Sequence, residues 1–313
     1  FSLGILGKHG EKIQVLTGLI SSWPSSAYKA DAQFQIAESY VRLSQPDKAA
    51  SYYKQVMTDF PSSSYVRKAL VSLGLLYYNA NRFDESVMYY KKAISDYPGT
   101  EEAQNALAGL KNVYVDMNEV DAYFAYTKGL GTMADMDTHE QDSLSYVSAE
   151  KLYMAGDCGR SVRSLTNYIQ NHPDGSFLLN AHFYKGDCNY KLNQLEDALQ
   201  SFDYVISRPG NMFTELALQG ASRIRYSQKN YAAALEYYRK LDNVAQSKAN
   251  VLEARIGMLR CLYLLEEYSE VTEIADRILL TEKLPADLER ETRFRKAKSL
   301  MASDRQMLAL NEF

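Results

Sequence analysis

Prolines recur at Pro24, Pro61 and Pro98, each 37 residues after the last, and again at Pro173 and Pro209. The middle prolines close similar phrases. Tyr52-Tyr53-Lys54-Gln55-Val56 leads to Asp59-Phe60-Pro61, and Tyr89-Tyr90-Lys91-Lys92-Ala93 leads to Asp96-Tyr97-Pro98. Later copies are Asn167-Tyr168-Ile169-Gln170-Asn171-His172-Pro173 and Phe202-Asp203-Tyr204-Val205-Ile206. Upstream of each phrase two small residues stand twelve positions apart: Ala37/Ala49, Gly74/Ser86, Ala149/Ser161, Gly186/Ala198, Ser222/Ala234 and Ala297/Ala309. A period held this closely restricts the chain to repeated supersecondary units, each needing its neighbours to bury its apolar face.

Within a unit, apolar residues recur at helical spacing in two stretches, such as Val71-Leu75-Tyr78 and Val87-Tyr90-Ile94. Between the stretches sit Asn81, Asn118, Gly156 or Asn193, residue types that tolerate the left-handed backbone that ends a helix. Pro46 falls where a first-turn proline is welcome, at the start of a second helix. The small pair lets the two helices cross closely. Where it is lost both members change together, to Lys111 with Tyr123 and to Leu259 with Val271. Sparse glycine (16) and proline (7) argue against an all-β chain built on tight turns.

These residues resemble the tetratricopeptide repeat, whose pattern is a bulky residue, Leu-Gly/Ala, Tyr, then Ala, Tyr/Phe, Ala and Pro at fixed offsets. Numbered by that pattern, units begin near Ala30, Arg67, Gln104, Asp142, Leu179, Glu215, Leu252 and Arg290. Residues 1–29 read as a partial unit whose second helix is residues 3–24, and residues 290–313 as another partial unit, with Phe313 at position 24. The fold class implied is an all-α, right-handed α-solenoid of about seven antiparallel helix pairs forming a single domain. The unit from 104 to 140 is the most degenerate, lacking the terminal proline and carrying Thr127 where others have Tyr or Phe, and is expected to bend the array. Three added residues after each proline predict a first helix about one turn longer than usual, capped by Ser or Thr. The period of 37, with a proline, small polar residues and a helix ending in Ala-Leu, is similar to bacterial envelope proteins of this family. Examples are the lipoprotein of the outer-membrane β-barrel assembly machinery and the periplasmic cell-division coordinator of the Tol-Pal system. That resemblance implies a periplasmic or outer-membrane-associated location, with a lipid anchor outside this segment, although a cytoplasmic one is also compatible. The abrupt ends are expected to be cuts in a longer array.

Composition narrows the chemistry. A formal net charge of -4 gives no electrostatic footprint for nucleic acid, and no apolar run approaches the ~20 residues of a membrane span. Histidines His9, His139, His172 and His182 are scattered, with no spacing for a metal or a catalytic cluster. No glycine loop cradles phosphate and no Ser-His-Asp or Cys-His set is present. The chain therefore reads as non-enzymatic, with no cofactor. Cys158, Cys188 and Cys261, odd in number and without close pairing, read as structural thiols and leave the redox compartment open.

In the resembled family, ligands usually lie in a concave groove lined by the first helices, at positions 2, 5, 9, 12 and 13. Here those positions offer a groove of Tyr146, Tyr153, Phe183, Asp187, Tyr190, Arg223, Tyr226, Arg260 and Tyr263, with Tyr78 further upstream. Tyrosine suits recognition because it buries a rigid ring and keeps a hydrogen-bonding tip. Position 9 turns from acidic or neutral to basic at Arg223, a split that orients a partner of mixed charge or is simply solvated surface. The expected partner is a peptide or protein segment, with Arg223 and Arg260 meeting its carboxylates and Asp187 a cation. Two other readings stay open: a glycan such as peptidoglycan stacked on the aromatic ladder, and an assembly spacer that works through its ends. The position-12 rings also admit a reading as filling between neighbouring helices. Tyrosine numbers 25 against 11 Phe and 1 Trp, and most of those 25 fall on repeat-signature positions that the fold itself demands.

Overall fold

A computed structural model describes residues 2–134, 136–208, 210–281 and 283–312. Pro209 of the proline series and Phe313 at position 24 lie outside the described residues. Among the described residues all regular structure is helical. Helices α1 (Ser2–Ile5) and α2 (His9–Ser22) precede the pairs α3 (Lys29–Arg42) with α4 (Pro46–Asp59), α5 (Tyr65–Asn79) with α6 (Phe83–Asp96), and α7 (Glu101–Met117) with α8 (Val120–Lys128). There follow α9 (Thr138–Met154) with α10 (Cys158–Asn171), α11 (Leu178–Lys191) with α12 (Leu195–Ile206), α13 (Thr214–Ser227) with α14 (Tyr231–Val244), α15 (Lys248–Leu264) with α16 (Tyr268–Leu279), and α17 (Ala286–Ala302) with the short α18 (Gln306–Ala309). The chain divides into two compact units, residues 1–148 and 149–313. In each, successive helices pack side by side, as in α5 on α6 and α13 on α14, and first helices of neighbouring pairs also touch.

The turn inside every pair is the same. Position 15 of each repeat has a left-handed backbone: Ser44, Asn81, Asn118, Gly156, Asn193, Lys229, Glu266 and Asp304. The next residue's N–H then reaches back five residues to close the helix, as in Arg82 to Tyr77 and Asn230 to Arg225, both at 2.9 Å. Asparagine and glycine adopt this conformation readily, whereas Lys229 and Glu266 bear its steric cost. Pro46 occupies the first turn of α4 as expected. Of the Thr/Ser caps expected after the prolines, Thr100 caps α7, whereas α5 and α11 begin without a side-chain cap; Ser247, which follows no proline, caps α15. The lengthened first helix is realised at 17 residues in α7, α9, α15 and α17, whereas α3, α11 and α13 stop at 14. The degenerate repeat has a second helix, α8, of only nine residues.

The small pairs are buried where the helices cross: Ala37, Ala49, Ser86, Ala149, Ser161, Ala198, Ser222 and Ala234 have no exposure, and Ser86 Oγ donates to the Gly74 carbonyl at 2.7 Å. A second contact joins the repeats beginning at Arg67, Leu179 and Glu215 to their successors. The ring at position 24 presses between position 8 of its own first helix and position 6 of the following one. A Cβ built on Gly109 would lie 2.4 Å from the Tyr90 ring, one on Gly220 2.5 Å from Phe202, and one on Gly257 2.4 Å from Tyr238. These glycines are notches cut to admit a ring. Where position 24 is smaller, at Thr127, Leu165 and Ala275, position 6 of the next repeat is larger: Val147, Tyr184 and Arg295. Burying such a ring contributes about 2–3 kcal/mol per joint.

Cys158 and Cys188 are joined in a disulfide, and Cys261 is buried and free. This corrects the reading of three unpaired thiols. Cys158 is position 17 of one repeat and Cys188 position 10 of the next. Stacking therefore brings together residues that are 30 apart in sequence. Closing a loop of that length stabilises by about 3–4 kcal/mol in the chain-entropy account.

The left-handed turns generate a stability prediction. Lys229→Gly and Glu266→Gly are each expected to raise stability in urea unfolding by about 0.5–1 kcal/mol, because glycine meets no Cβ penalty there. A loss of stability in both variants would contradict the assigned turn geometry.

Candidate binding surface on the first helices

The predicted groove residues separate into three classes once their neighbours are visible. Tyr146 is 3% exposed and Phe183 is 8% exposed, with Phe183 stacked on Phe213 at 4.4 Å between centroids. Both face the packing between helices and present little to a partner. Position 5 is thus interior in these two repeats, whereas Phe294 at the same position is exposed.

Tyr153 on α9 and Asp187 on α11 are half-buried and bound to each other. The Tyr153 hydroxyl donates to Asp187 Oδ2 at 2.9 Å, its ring stacks on Tyr184 at 4.1 Å, and Lys191 completes the set with Nζ 2.6 Å from Asp187. Burial, with the Asp187 hydrogen bond second, raises the Tyr153 phenol well above its ordinary value, so it stays a donor. Tyr190, one turn further on α11, is 39% exposed. In the first unit the equivalent ring, Tyr78, donates to Asp116 at 2.5 Å. The position-12 tyrosines there and at Tyr153 therefore tie one repeat to the next while showing an edge to solvent.

Arg223, Tyr226 and Arg260 come together around a cleft of ≈ 500 Å³ between α13, α15 and the start of α17. Leu252, Ile256 and Leu288 give it an apolar floor, and Tyr238 with the Gly257 notch closes its base. Each arginine is already paired with a glutamate of the following repeat. Arg223 Nε and Nη2 meet Glu253 at 2.7 and 2.5 Å, and Arg260 grips Glu291 with two parallel bonds of 2.8 and 2.7 Å. Tyr263 is half-buried with the Arg295 guanidinium 4.8 Å from its ring centroid. The acidic-to-basic split at position 9 is thus largely answered within the chain, since Glu38 likewise accepts a hydrogen bond from Tyr53.

Glu253 and Glu291 are the residues that reading position 9 alone missed. The sequence does carry a signal for them. Both occupy position 2 of the repeat that follows an arginine at position 9, and both positions face inward. Among the described residues no group of three or more His, Cys, Asp or Glu is placed to hold a metal, and no helix is long and apolar enough to cross a membrane.

Hydrogen bonding from Arg260, reinforced by Arg295, holds the Glu291 carboxyl at about 2, below its ordinary 4.5. A carboxylate depressed in the folded state contributes stability that is complete above pH 4.5 and disappears as pH falls toward about 2. Thermal unfolding of the wild-type chain is therefore expected to lose stability across that window, and the loss is expected to shrink in Arg260→Gln. Identical acid profiles for the two proteins would contradict the pairing.

The tetratricopeptide repeat family model matches residues 31–63 and 68–100. Those two segments therefore match the tetratricopeptide repeat, as the residue pattern implied there. Solved structures similar to it include a tetratricopeptide repeat protein from Parabacteroides merdae, at 11% identity, covering 85% of this chain and 98% of that one with a TM-score of 0.33. Others are the yeast TPR2AB domain in complex with pHSP90, at 14% identity, 83% and 94% coverage and a TM-score of 0.36, and YrrB, at 18% identity, 66% and 98% coverage and a TM-score of 0.34. YrrB is described as a protein with an unusual peptide-binding site. A search of curated proteins finds no match to the sequence.

Proposed function

We propose that this tetratricopeptide-repeat chain is a non-enzymatic scaffold whose second unit takes a protein segment across α13, α15 and α17. Tetratricopeptide repeats generally mediate binding of proteins or peptides. The observation that carries the finer reading is the cleft lined by Arg223, Tyr226 and Arg260 over Leu252, Ile256 and Leu288. An apolar floor with a few polar groups at its rim is the usual form of a site that anchors a side chain.

The internal ion pairs refine how charge acts there. A partner carboxylate at Arg223 or Arg260 joins or replaces Glu253 or Glu291, exchanging one ion pair for another. Such an exchange sets register and discriminates between partners more than it adds affinity. Affinity comes from the apolar side chain that fills the floor beside Tyr226.

The compartment we infer is outside the cytoplasm, in the bacterial envelope. The Cys158–Cys188 disulfide supports this, because such bonds form and persist in oxidising surroundings.

The test uses the partner that the wild-type chain captures from an envelope extract, then measured as a purified ligand. Tyr226→Ala combined with Arg223→Ala is expected to leave the helical circular dichroism intact and to weaken binding about 10–100-fold, the effect of losing a central aromatic anchor. Unchanged affinity in a folded double variant would remove the cleft from the account.

A further inference from the structure

The joint between the repeat beginning at Asp142 and the one beginning at Leu179 lacks features that secure other joints. Position 24 is Leu165, so no ring enters a glycine notch, and position 6 of the next repeat is the bulky Tyr184. Two buried polar side chains on either side of it, Ser161 at the α9–α10 crossing and Asn189 beside Cys188 on α11, also go unsatisfied. Ser161 Oγ and both polar atoms of the Asn189 amide find no hydrogen-bond partner among the described residues. Unsatisfied buried groups weaken a contact relative to the apolar or fully paired alternative. It is at this joint that the Cys158–Cys188 bond is found, running from the first turn of α10 to the middle of α11.

The bond also borders three first-helix residues, Tyr153, Asp187 and Tyr190. Cys158 lies five residues beyond Tyr153, and Cys188 follows Asp187 and precedes Tyr190 by two. The Tyr153–Asp187 hydrogen bond and the Tyr153–Tyr184 stack both cross from α9 to α11, the interval that the disulfide spans from the neighbouring turn.

We propose that Cys158–Cys188 is an oxidation-set lock: it fixes α11 against the α9–α10 turn and so holds Tyr153, Asp187 and Tyr190 in their surface arrangement. The lock does not rest on the function proposed above. Two thiols become one disulfide by exchange with the disulfide of a thiol–disulfide oxidoreductase. The protein's two thiol protons and two electrons pass to that oxidant, which leaves as a dithiol.

The lock closes during folding and resists opening afterwards. Cys188 has no exposure and Cys158 is only half-buried, so an external thiolate reaches the Cys158 sulfur. Attack there expels Cys188 as a thiolate into an apolar interior, a poor place for a charge. Cys261 occupies the same repeat position, and burial pushes its thiol up to about 12.

Two measurements test this without any partner. Alkylation of the unfolded, unreduced chain from an oxidising host is expected to modify one cysteine per molecule, Cys261; modification of three overturns the proposal. Native-state hydrogen exchange then compares that chain with Cys158→Ala/Cys188→Ala. Exchange across residues 178–191 is expected to quicken at least tenfold in the variant, while residues 248–264 keep their protection. Equal protection of residues 178–191 in the two proteins means that the bond does not lock the joint. If the variant fails to fold, the oxidised chain is compared with wild-type chain refolded under reductant, with the same two outcomes.

Discussion

Three joints of the fold depend on one contact: a ring at position 24 entering a space left for it at position 6 of the next repeat. A helix pair of this size cannot bury its apolar face alone, so each unit is stable only through its neighbours. Tyr90 on Gly109, Phe202 on Gly220 and Tyr238 on Gly257 show the contact with a large ring and an absent side chain. Glycine in the middle of a helix costs about 1 kcal/mol relative to alanine, so its presence inside α7, α13 and α15 needs a compensating contact, and the ring supplies it. At Leu165 with Tyr184, and at Ala275 with Arg295, the larger residue stands at position 6 instead. Variation between repeats is therefore constrained in pairs.

The same joints build the surface. Because position 9 of one first helix meets position 2 of the next, Arg223 finds Glu253 and Arg260 finds Glu291. Because position 12 reaches forward, Tyr153 finds Asp187. A partner seated across α13, α15 and α17 as proposed would meet these joints, so its recognition would sense the spacing of repeats as well as the residues on any one of them.

Much of this was legible in the sequence, and what was missed has physical causes. The turn residues Asn81, Asn118, Gly156 and Asn193 declare the helix ends because few side chains tolerate the left-handed backbone. Lys229 and Glu266 adopt it too, carried by the context of the repeat. The small pairs were readable because close crossing admits little else. Reading inward positions one helix at a time failed at Tyr146 and Phe183, whose rings are taken up by neighbouring helices. It failed again at Glu253 and Glu291, which matter only across a joint. The disulfide was hidden for the same reason: position 17 of one repeat and position 10 of the next are neighbours in space and 30 residues apart in the chain.

The reciprocity at the joints is tested most directly by a double-mutant cycle at Gly257 and Tyr238, read by urea unfolding. With Tyr238 present, Gly257→Ala places a methyl group against the ring, and the account predicts a loss of about 1–3 kcal/mol from overpacking. In a Tyr238→Leu background the ring is gone and alanine restores helix propensity, so the same substitution is predicted to be neutral or to stabilise by up to about 1 kcal/mol. If Gly257→Ala costs the same in both backgrounds, within about 0.5 kcal/mol, the ring and the notch are not coupled and the account of the joints is wrong.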